Sequence, residues 1–567
     1  MYSSIARSSQ AQPGRKIPID LVLLIGVALW VLMIGWGLRE PWPADEPRFA
    51  LIGRDIVETG RWFIPHRGPE LYAEKPPIFL WMQATAYAIT GGAGWSFLLP
   101  SLFAALGTLA LVFDLSRRLY GRRIAWLATA ALLITVQFTL QARTAQIDAV
   151  LCFFTTLGLY GLLRHLLLGP AWGWYAIAGI ATGLGVITKG TGFLPWLLMI
   201  PYVWARLRGM YGLAKFPGGL RWSIGPLLLL LTIALWALPI LYLAAQPGNE
   251  EIAAYRDDLL FRQTLTRYVA AWHHHKPFWY FIVNVIPVLW LPGSLLLYWA
   301  IPAWRRRIKR GDARTFMLLG WVLLVLLFFS LSPGKRGVYI LPAVPALALL
   351  FAPLLPGLLV KRSVQRALAI LTALVGALLI LGAGWALLLH PSFAQRIELQ
   401  NSVTPWWWVL SVGVAGVLAA LLLRKRGAVA FVVLMTSAWT GYGLWGYPSM
   451  DAARSGAGLM RAVAARLPAE SALGLVGAPE QLLLQARGNV QSFGFKTPLQ
   501  QQRENAMAWL AQSAQHWLLL QHPQRDTCVI AAQTIDMGWA NRRHWFLVPH
   551  AALQPGCQLS ITERTTQ

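Results

Sequence analysis

Apolar runs of about 17–25 residues recur along most of this chain, and no other feature restricts its fold so closely. A run of that length is what an α-helix needs to cross a bilayer core of roughly 30 Å. Backbone placed in hydrocarbon must also satisfy its own hydrogen bonds, so a spanning segment of this kind is helical. Of the 567 residues, 56% are hydrophobic and only 13% charged, far from a soluble average. The sequence therefore reads as a polytopic α-helical membrane protein. Residues 17–37 follow a basic tail (Arg7, Arg15, Lys16). They are too long for a signal-peptide core and lack a small-residue cleavage site, so they are read as a retained first helix.

The net charge of +26 does not point to nucleic acid. Its Lys and Arg residues concentrate in short loops, at Arg117–Arg123, Arg206–Lys215, Arg305–Arg310, Lys361-Arg362 and Arg424–Arg426, as they do on the cytoplasmic side of membrane proteins. Counting every apolar run as a span breaks that rule. It holds at each later loop if residues 78–92, a short aromatic run between Pro76-Pro77 and Gly91-Gly92, lie along the outer surface as an amphipathic interfacial helix. About thirteen spans remain, near 17–37, 95–116, 122–140, 147–168, 172–188, 190–206, 223–245, 278–299, 314–331, 338–358, 364–388, 405–423 and 427–447. The N-terminus is then inside and the C-terminus outside. The outer face receives the polar segments 38–94, 141–148, 246–277, 332–337 and 389–404, with a tight turn at Lys189.

Residues 1–447 form the membrane domain on this reading, and 448–567 a soluble α/β domain on the outer face. A helical apolar pattern covers 451–467, strand-like runs lie at 472–476, 516–520 and 545–548, and a helix is expected near 498–511. Cys152 falls in a span; Cys528 and Cys557 fall in the outer domain, where spacing alone leaves a disulfide open. No pair of cysteines has zinc-finger spacing and no Gly-rich phosphate loop follows a strand, which argues against a nucleotide donor.

Charged residues beside a membrane are functional candidates, and they collect in the outer segments. Asp45 precedes Glu46-Pro47, the pattern of an N-cap with proline in the first turn. Phe49, Ile52, Ile56 and then Gly60 predict a short amphipathic helix over 46–59. Arg48 lies one turn along, suited to clamping a phosphate. Tyr72, Glu74 and Lys75 precede the proline pair, where tyrosine and lysine either anchor at headgroup depth or hold a lipid phosphate. Asp148 opens a span, again as an N-cap or as the second half of a two-aspartate site. Lys189, Lys335, Arg336 and Tyr339 fall at the same level. Residues 246–277 add Arg262, Arg267, Tyr268 and His273–His275. One of these histidines with Glu74 leaves a divalent metal ion open; no other cofactor is indicated. An outer face that keeps cations against the topological preference suggests an anionic ligand, most simply a phosphate.

Asp-Glu-x-Arg in the first outer loop, Tyr-x-Glu-Lys-Pro-Pro, the second-loop Asp148, Thr-Lys-Gly and Lys-Arg-x-x-Tyr together resemble the bacterial branch of the protein O-mannosyltransferase superfamily of GT-C glycosyltransferases. Within it, the chain is similar to the lipid A aminoarabinose transferases. The resemblance implies the GT-C fold and transfer of 4-amino-4-deoxy-L-arabinose from undecaprenyl phosphate to a lipid A phosphate, at the periplasmic face of the bacterial inner membrane. It further implies a monomer, and a lipopolysaccharide modification that confers resistance to polymyxin and cationic antimicrobial peptides. The family's two aspartates map to Asp45 and Asp148, and its carrier-phosphate ligands to Arg48, Tyr72, Lys75, Arg267 and Tyr339. A related transferase acting on protein hydroxyls or another glycan is the nearest alternative. A lipid-headgroup flippase is the alternative of another class, but it predicts paired internal repeats that the sequence does not display.

Overall fold

The computed structural model describes residues 19–92, 94–259, 276–401, 403–523 and 528–554. The expected spans contain helical backbone, including α1 (Ile19–Met33), α4 (Leu99–Tyr120), α5 (Arg122–Leu133), α6 (Val136–Ala142), α7 (Ile147–Leu168) and α8 (Trp172–Lys189), but those at 122–140 and 278–299 are broken by bends of 70° and 107°. Among the described residues, six helices are long and apolar enough to cross a bilayer, or nine if three sharply bent pairs each count as one span. The number thirteen thus depends on shorter, broken or less apolar helices. α8 shows why one of them falls short. Its packing face carries glycines in place of bulky apolar side chains: a Cβ at Gly179 would lie 2.3 Å from the Gly225 carbonyl, and one at Gly183 2.6 Å from Thr232. Small residues that let helices approach closely are the usual glue between helices in a membrane.

Two charged ends lie at opposite ends of α7. At its far end Ala214 donates to the Leu166 carbonyl (2.9 Å), and Tyr211 and Gly311 are joined backbone to backbone (2.9 Å). Arg314 reaches the Leu119 carbonyl (3.5 Å) and Arg307 pairs with Asp312 (3.3 Å). The basic loops that follow α4, precede residue 216 and precede the helix Ala313–Leu331 are therefore gathered together. Asp148 stands at the other end of the same helix. With 22 residues in α7 the separation is about 33 Å, close to a bilayer core.

The first loop folds as predicted into α2 (Glu46–Thr59), ended by Gly60 at φ 73°, whose N–H returns to the Ile56 carbonyl. Phe49, Ile52 and Ile56 form its buried face. They pack on α3 (Ile78–Thr90), with Phe49 and Phe79 edge to face at 4.9 Å. α3 has 13 residues, about 20 Å of helix, too short to span. Between the two helices, β1 (His66–Arg67) and β2 (Glu70–Leu71) make a small antiparallel hairpin.

The C-terminal region holds a five-stranded sheet in the order β4-β3-β5-β7-β6, formed by β3 (Ala472–Leu475), β4 (Val490–Ser492), β5 (His516–Leu520), β6 (Ile535–Ala540) and β7 (Arg543–Pro549). β3 runs parallel to β4 and β5, whereas β7 is antiparallel to β5 and β6. Strands β3, β5 and β7 match the expected runs; β4 and β6 were not foreseen. The helix Leu499–Leu510 matches the stretch near 498–511. The helix expected over 451–467 is divided by Gly456 at φ 76°, and the junction expected at 447–448 lies within a continuous helix that ends at Arg454. Cys152 is free and buried. Cys528 is disulfide-bonded, while Cys557 lies outside the described residues.

Candidate functional site

The Asp-Glu pair that starts α2 divides its labour. Glu46 is buried, with 5% of its surface exposed, and its carboxylate locks two loops together. It is ion-paired with the buried Arg39 and accepts N–H bonds from Trp42 (2.8 Å) and Ala145 (3.0 Å). Arg39 in turn donates to the Arg143 carbonyl (3.1 Å). The first loop is thereby fixed to the segment just before α7. Asp45 is left to face the site. It occupies the N-cap position of α2 but makes no capping bond. Instead its Oδ2 accepts from Arg336 (3.1 Å) and Gln146 (3.4 Å). The cap expected from sequence is absent because a guanidinium outcompetes a backbone N–H for a carboxylate.

Asp148 also differs from the N-cap expected of it. Gln146 holds that position and makes no side-chain cap, and Asp148 is the second residue of α7. Its Oδ1 is 2.5 Å from the ammonium of Lys189, at the last residue of α8. The same ammonium lies 4.5 Å from the centre of the Tyr339 ring, a cation–π contact. Arg336 joins the two halves. Burial alone would lower its pKa, but Asp45 and then Asp148 raise it above the usual guanidinium value. Asp45, Asp148, Lys189, Arg336 and Tyr339, spread over nearly 300 positions of sequence, thus meet in one cluster.

The other candidates surround this cluster less directly. Arg48 pairs with Glu480 of the C-terminal sheet region (2.8 Å) and with Glu74 (3.7 Å), so its guanidinium is already engaged by carboxylates. Burial works to lower its pKa and Glu480 raises it past that effect. Tyr72 is 1% exposed; burial pushes its phenol up, with Glu74 adding to this and Arg48 and Arg67 opposing it. The Lys75 ammonium donates to the Glu74 carbonyl (3.0 Å). Lys335 is turned away from the cluster. It donates to the Lys276 carbonyl (2.8 Å), and burial lowers its pKa. Arg262, Arg267, Tyr268 and His273–His275 lie outside the described residues. Among the described residues no group of three or more His, Cys, Asp or Glu is arranged to hold a metal.

Sequence reasoning did not single out Arg39, Arg67 or Glu480. Arg67 lies 3.3 Å from Glu480 and 3.9 Å from Glu74, completing a network of two arginines and two carboxylates across the domain junction. Nor did it anticipate a cavity of about 150 Å³ that borders Asp45 and is otherwise walled by Trp42, Arg143, Tyr442, Tyr447 and Arg454, among others.

Residues 74–242 match the profile of a family described as dolichyl-phosphate-mannose-protein mannosyltransferase. The undecaprenyl phosphate-α-4-amino-4-deoxy-L-arabinose arabinosyl transferase of Serratia proteamaculans is 30% identical over 433 residues, 68% of this chain and 73% of that one. A transferase of the same description from Sodalis glossinidius is 31% identical over 399 residues, 66% and 67% of the two chains. The fold is similar to that of the crystal structure of ArnT from Cupriavidus metallidurans bound to undecaprenyl phosphate, with a TM-score of 0.74 at 21% identity over 94% of this chain and 99% of that one. With a helical body of apolar spans, a C-terminal sheet and two acidic loops meeting at one end of α7, the chain belongs to the family of undecaprenyl phosphate-aminoarabinose arabinosyl transferases.

Proposed function

We propose that this chain transfers 4-amino-4-deoxy-L-arabinose from undecaprenyl phosphate to a phosphate of lipid A, acting as a monomer at the periplasmic face of the inner membrane. The observation that carries this reading is the meeting of Asp45, Asp148, Lys189 and Arg336 at the end of α7 remote from the basic loops. On this topology Asp45, Asp148 and the C-terminal sheet are periplasmic, and the helical body through Arg454 and the sheet region after it serve as catalytic and accessory domains.

The leaving group is the phosphate monoester of a long prenol, whose negative charge grows as the glycosidic bond breaks. Lys189, Lys75 and Arg336 are the cations placed to stabilise that charge, with the Tyr339 phenol beside them. Donors fixed in advance at the position of developing charge act without reorganisation. Asp45 and Asp148 supply negative potential next to them, as the oxocarbenium-like sugar and its amine require. A lipid A phosphate is already anionic, so the nucleophile needs no general base, and Asp45 positions the sugar. The product exchanges one negative phosphate for a zwitterionic one, which weakens attraction to polymyxin and other cationic peptides. Incubating the purified chain with the undecaprenyl-phosphate sugar and lipid A, followed by mass spectrometry of the lipid, tests the reading. A gain of one aminopentose per modified phosphate is expected; unmodified lipid A at full donor occupancy would refute it.

A further inference from the structure

The cavity beside Asp45 adjoins the cation cluster without including it. Asp45 borders this chamber, whereas Asp148, Lys189, Arg336 and Tyr339 do not. An in-line displacement at a sugar carbon places the two phosphates on different sides of the sugar, and Asp45 is the residue the chamber shares with the cation cluster. The charge of its walls is unbalanced. Arg39 is neutralised by Glu46, and Asp45 by Arg336. Arg143 is buried and donates to the carbonyls of Val31 (2.5 Å) and Ile34 (2.7 Å). Its Nε has no hydrogen-bond partner. Arg454 lies 4.5 Å from the centre of the Trp42 ring and beside the Tyr442 hydroxyl. Among the described residues no carboxylate lies within ion-pair distance of Arg143 or Arg454. Two guanidiniums that no carboxylate pairs directly, with Asp451 instead engaged by the Trp42 indole and the Glu40 N–H, match a phosphate monoester, which carries about −1.5 to −2 at pH 7.

Resting on the reading given above, we propose that this chamber is the acceptor site, where Arg454, with Arg143 behind it, binds the phosphate monoester of the acceptor lipid and presents one of its oxygens to the sugar carbon held at Asp45. That oxygen forms the new bond to the sugar. The bond from the sugar to the carrier phosphate breaks, and its electron pair leaves with undecaprenyl phosphate. The acceptor dianion becomes a monoanionic diester while the carrier diester becomes a dianion, so charge balances with no proton or redox partner.

The full-length protein is assayed at saturating donor over a range of lipid A concentrations as wild type, Arg454→Gln and Arg454→Lys. Affinity for undecaprenyl phosphate is measured in parallel and reports folding of each variant. Losing a charge-assisted contact should raise the acceptor KM roughly 10- to 100-fold in Arg454→Gln, with part recovered by Arg454→Lys, which restores the charge without the planar fork. Carrier affinity should stay within about twofold. Wild-type transfer combined with an unchanged acceptor KM in Arg454→Gln overturns the chamber assignment alone, as does an equal loss of carrier affinity. Wild type that binds undecaprenyl phosphate but never modifies lipid A overturns the functional reading on which the assignment rests.

Discussion

Replacing Lys189 by Met removes the counter-charge of Asp148 while keeping most of the side-chain volume. Asp148 is 5% exposed and the Lys189 side chain 19%. Stripping one partner from a fully buried ion pair costs about 3–5 kcal/mol, and a hydrogen bond to a charged group contributes about 1.5–3 kcal/mol. Lys189 keeps some contact with water, so the lower range applies, and with the cation–π contact to Tyr339 the loss comes to ~2–3 kcal/mol. If the transition state uses this ammonium, kcat/KM falls roughly 30- to 150-fold. Initial rates of sugar transfer for wild type, Lys189→Met, Asp148→Asn and the double variant form a cycle. The double variant should lose ~1–2 kcal/mol less than the sum of the singles, because the second change removes a partner already stranded. A Lys189→Met enzyme within threefold of wild type, or single effects that simply add, would refute the reasoning.

Asp45→Asn should abolish transfer yet lower the melting temperature little, since the pair with the exposed Arg336 contributes weakly to stability and the Asn oxygen can still accept from it; near wild-type turnover would sink the assignment. Lys75→Ala should weaken undecaprenyl phosphate binding roughly 10- to 100-fold, and an unchanged dissociation constant in a titration would count against a carrier role. Single cysteines at Arg118 and Asn249, in a background lacking Cys152, Cys528 and Cys557, read the topology: an impermeant thiol reagent on spheroplasts should label position 249 and spare 118. The reverse pattern would place Asp148 in the cytoplasm and eliminate a two-aspartate outer site.

Local pattern was enough to reveal α2, whose apolar spacing and terminal Gly60 are complete within 15 residues, and strands β3, β5 and β7, which are buried apolar runs. β4 escaped because it is three residues long at a sheet edge, and β6 because Asp536 and Gly538 interrupt it at a register shift, where strand propensity is weak. Asp45, Asp148, Lys189, Arg336 and Tyr339 were legible only as members of a larger group of candidates on one face, in which Lys335 stood beside Arg336 although it turns to the Lys276 carbonyl. Who pairs with whom was not legible. Arg48 looked like a free phosphate clamp because its partner Glu480 stands 432 positions away, and helical spacing carries no trace of such a contact. The aspartates looked like caps because the cations that engage them are distant in sequence, Lys189 at the end of α8 and Arg336 in the loop after Ala313–Leu331.

The loop that bears Asp45 and Lys75 is moored from both sides. Glu46 ties it inward to Ala145 and Arg39, while outward Glu480 holds Arg48 and Arg67, and the Glu70 carboxylate accepts the N–H groups of Phe495 (2.7 Å) and Lys496 (2.9 Å). Arg54 adds a bond to the Leu484 carbonyl (3.1 Å). Ordering of the reaction loop and folding of the outer sheet are therefore linked equilibria. A lesion in the sheet core, at Trp545 for instance, or at the Cys528 disulfide, would slacken the outward mooring and lower transfer while every group that meets the sugar stayed chemically intact. Loss-of-function changes in this enzyme should accordingly fall into two populations, one at the cations and carboxylates and one in the sheet region that follows Arg454, whose residues act only by holding the loop.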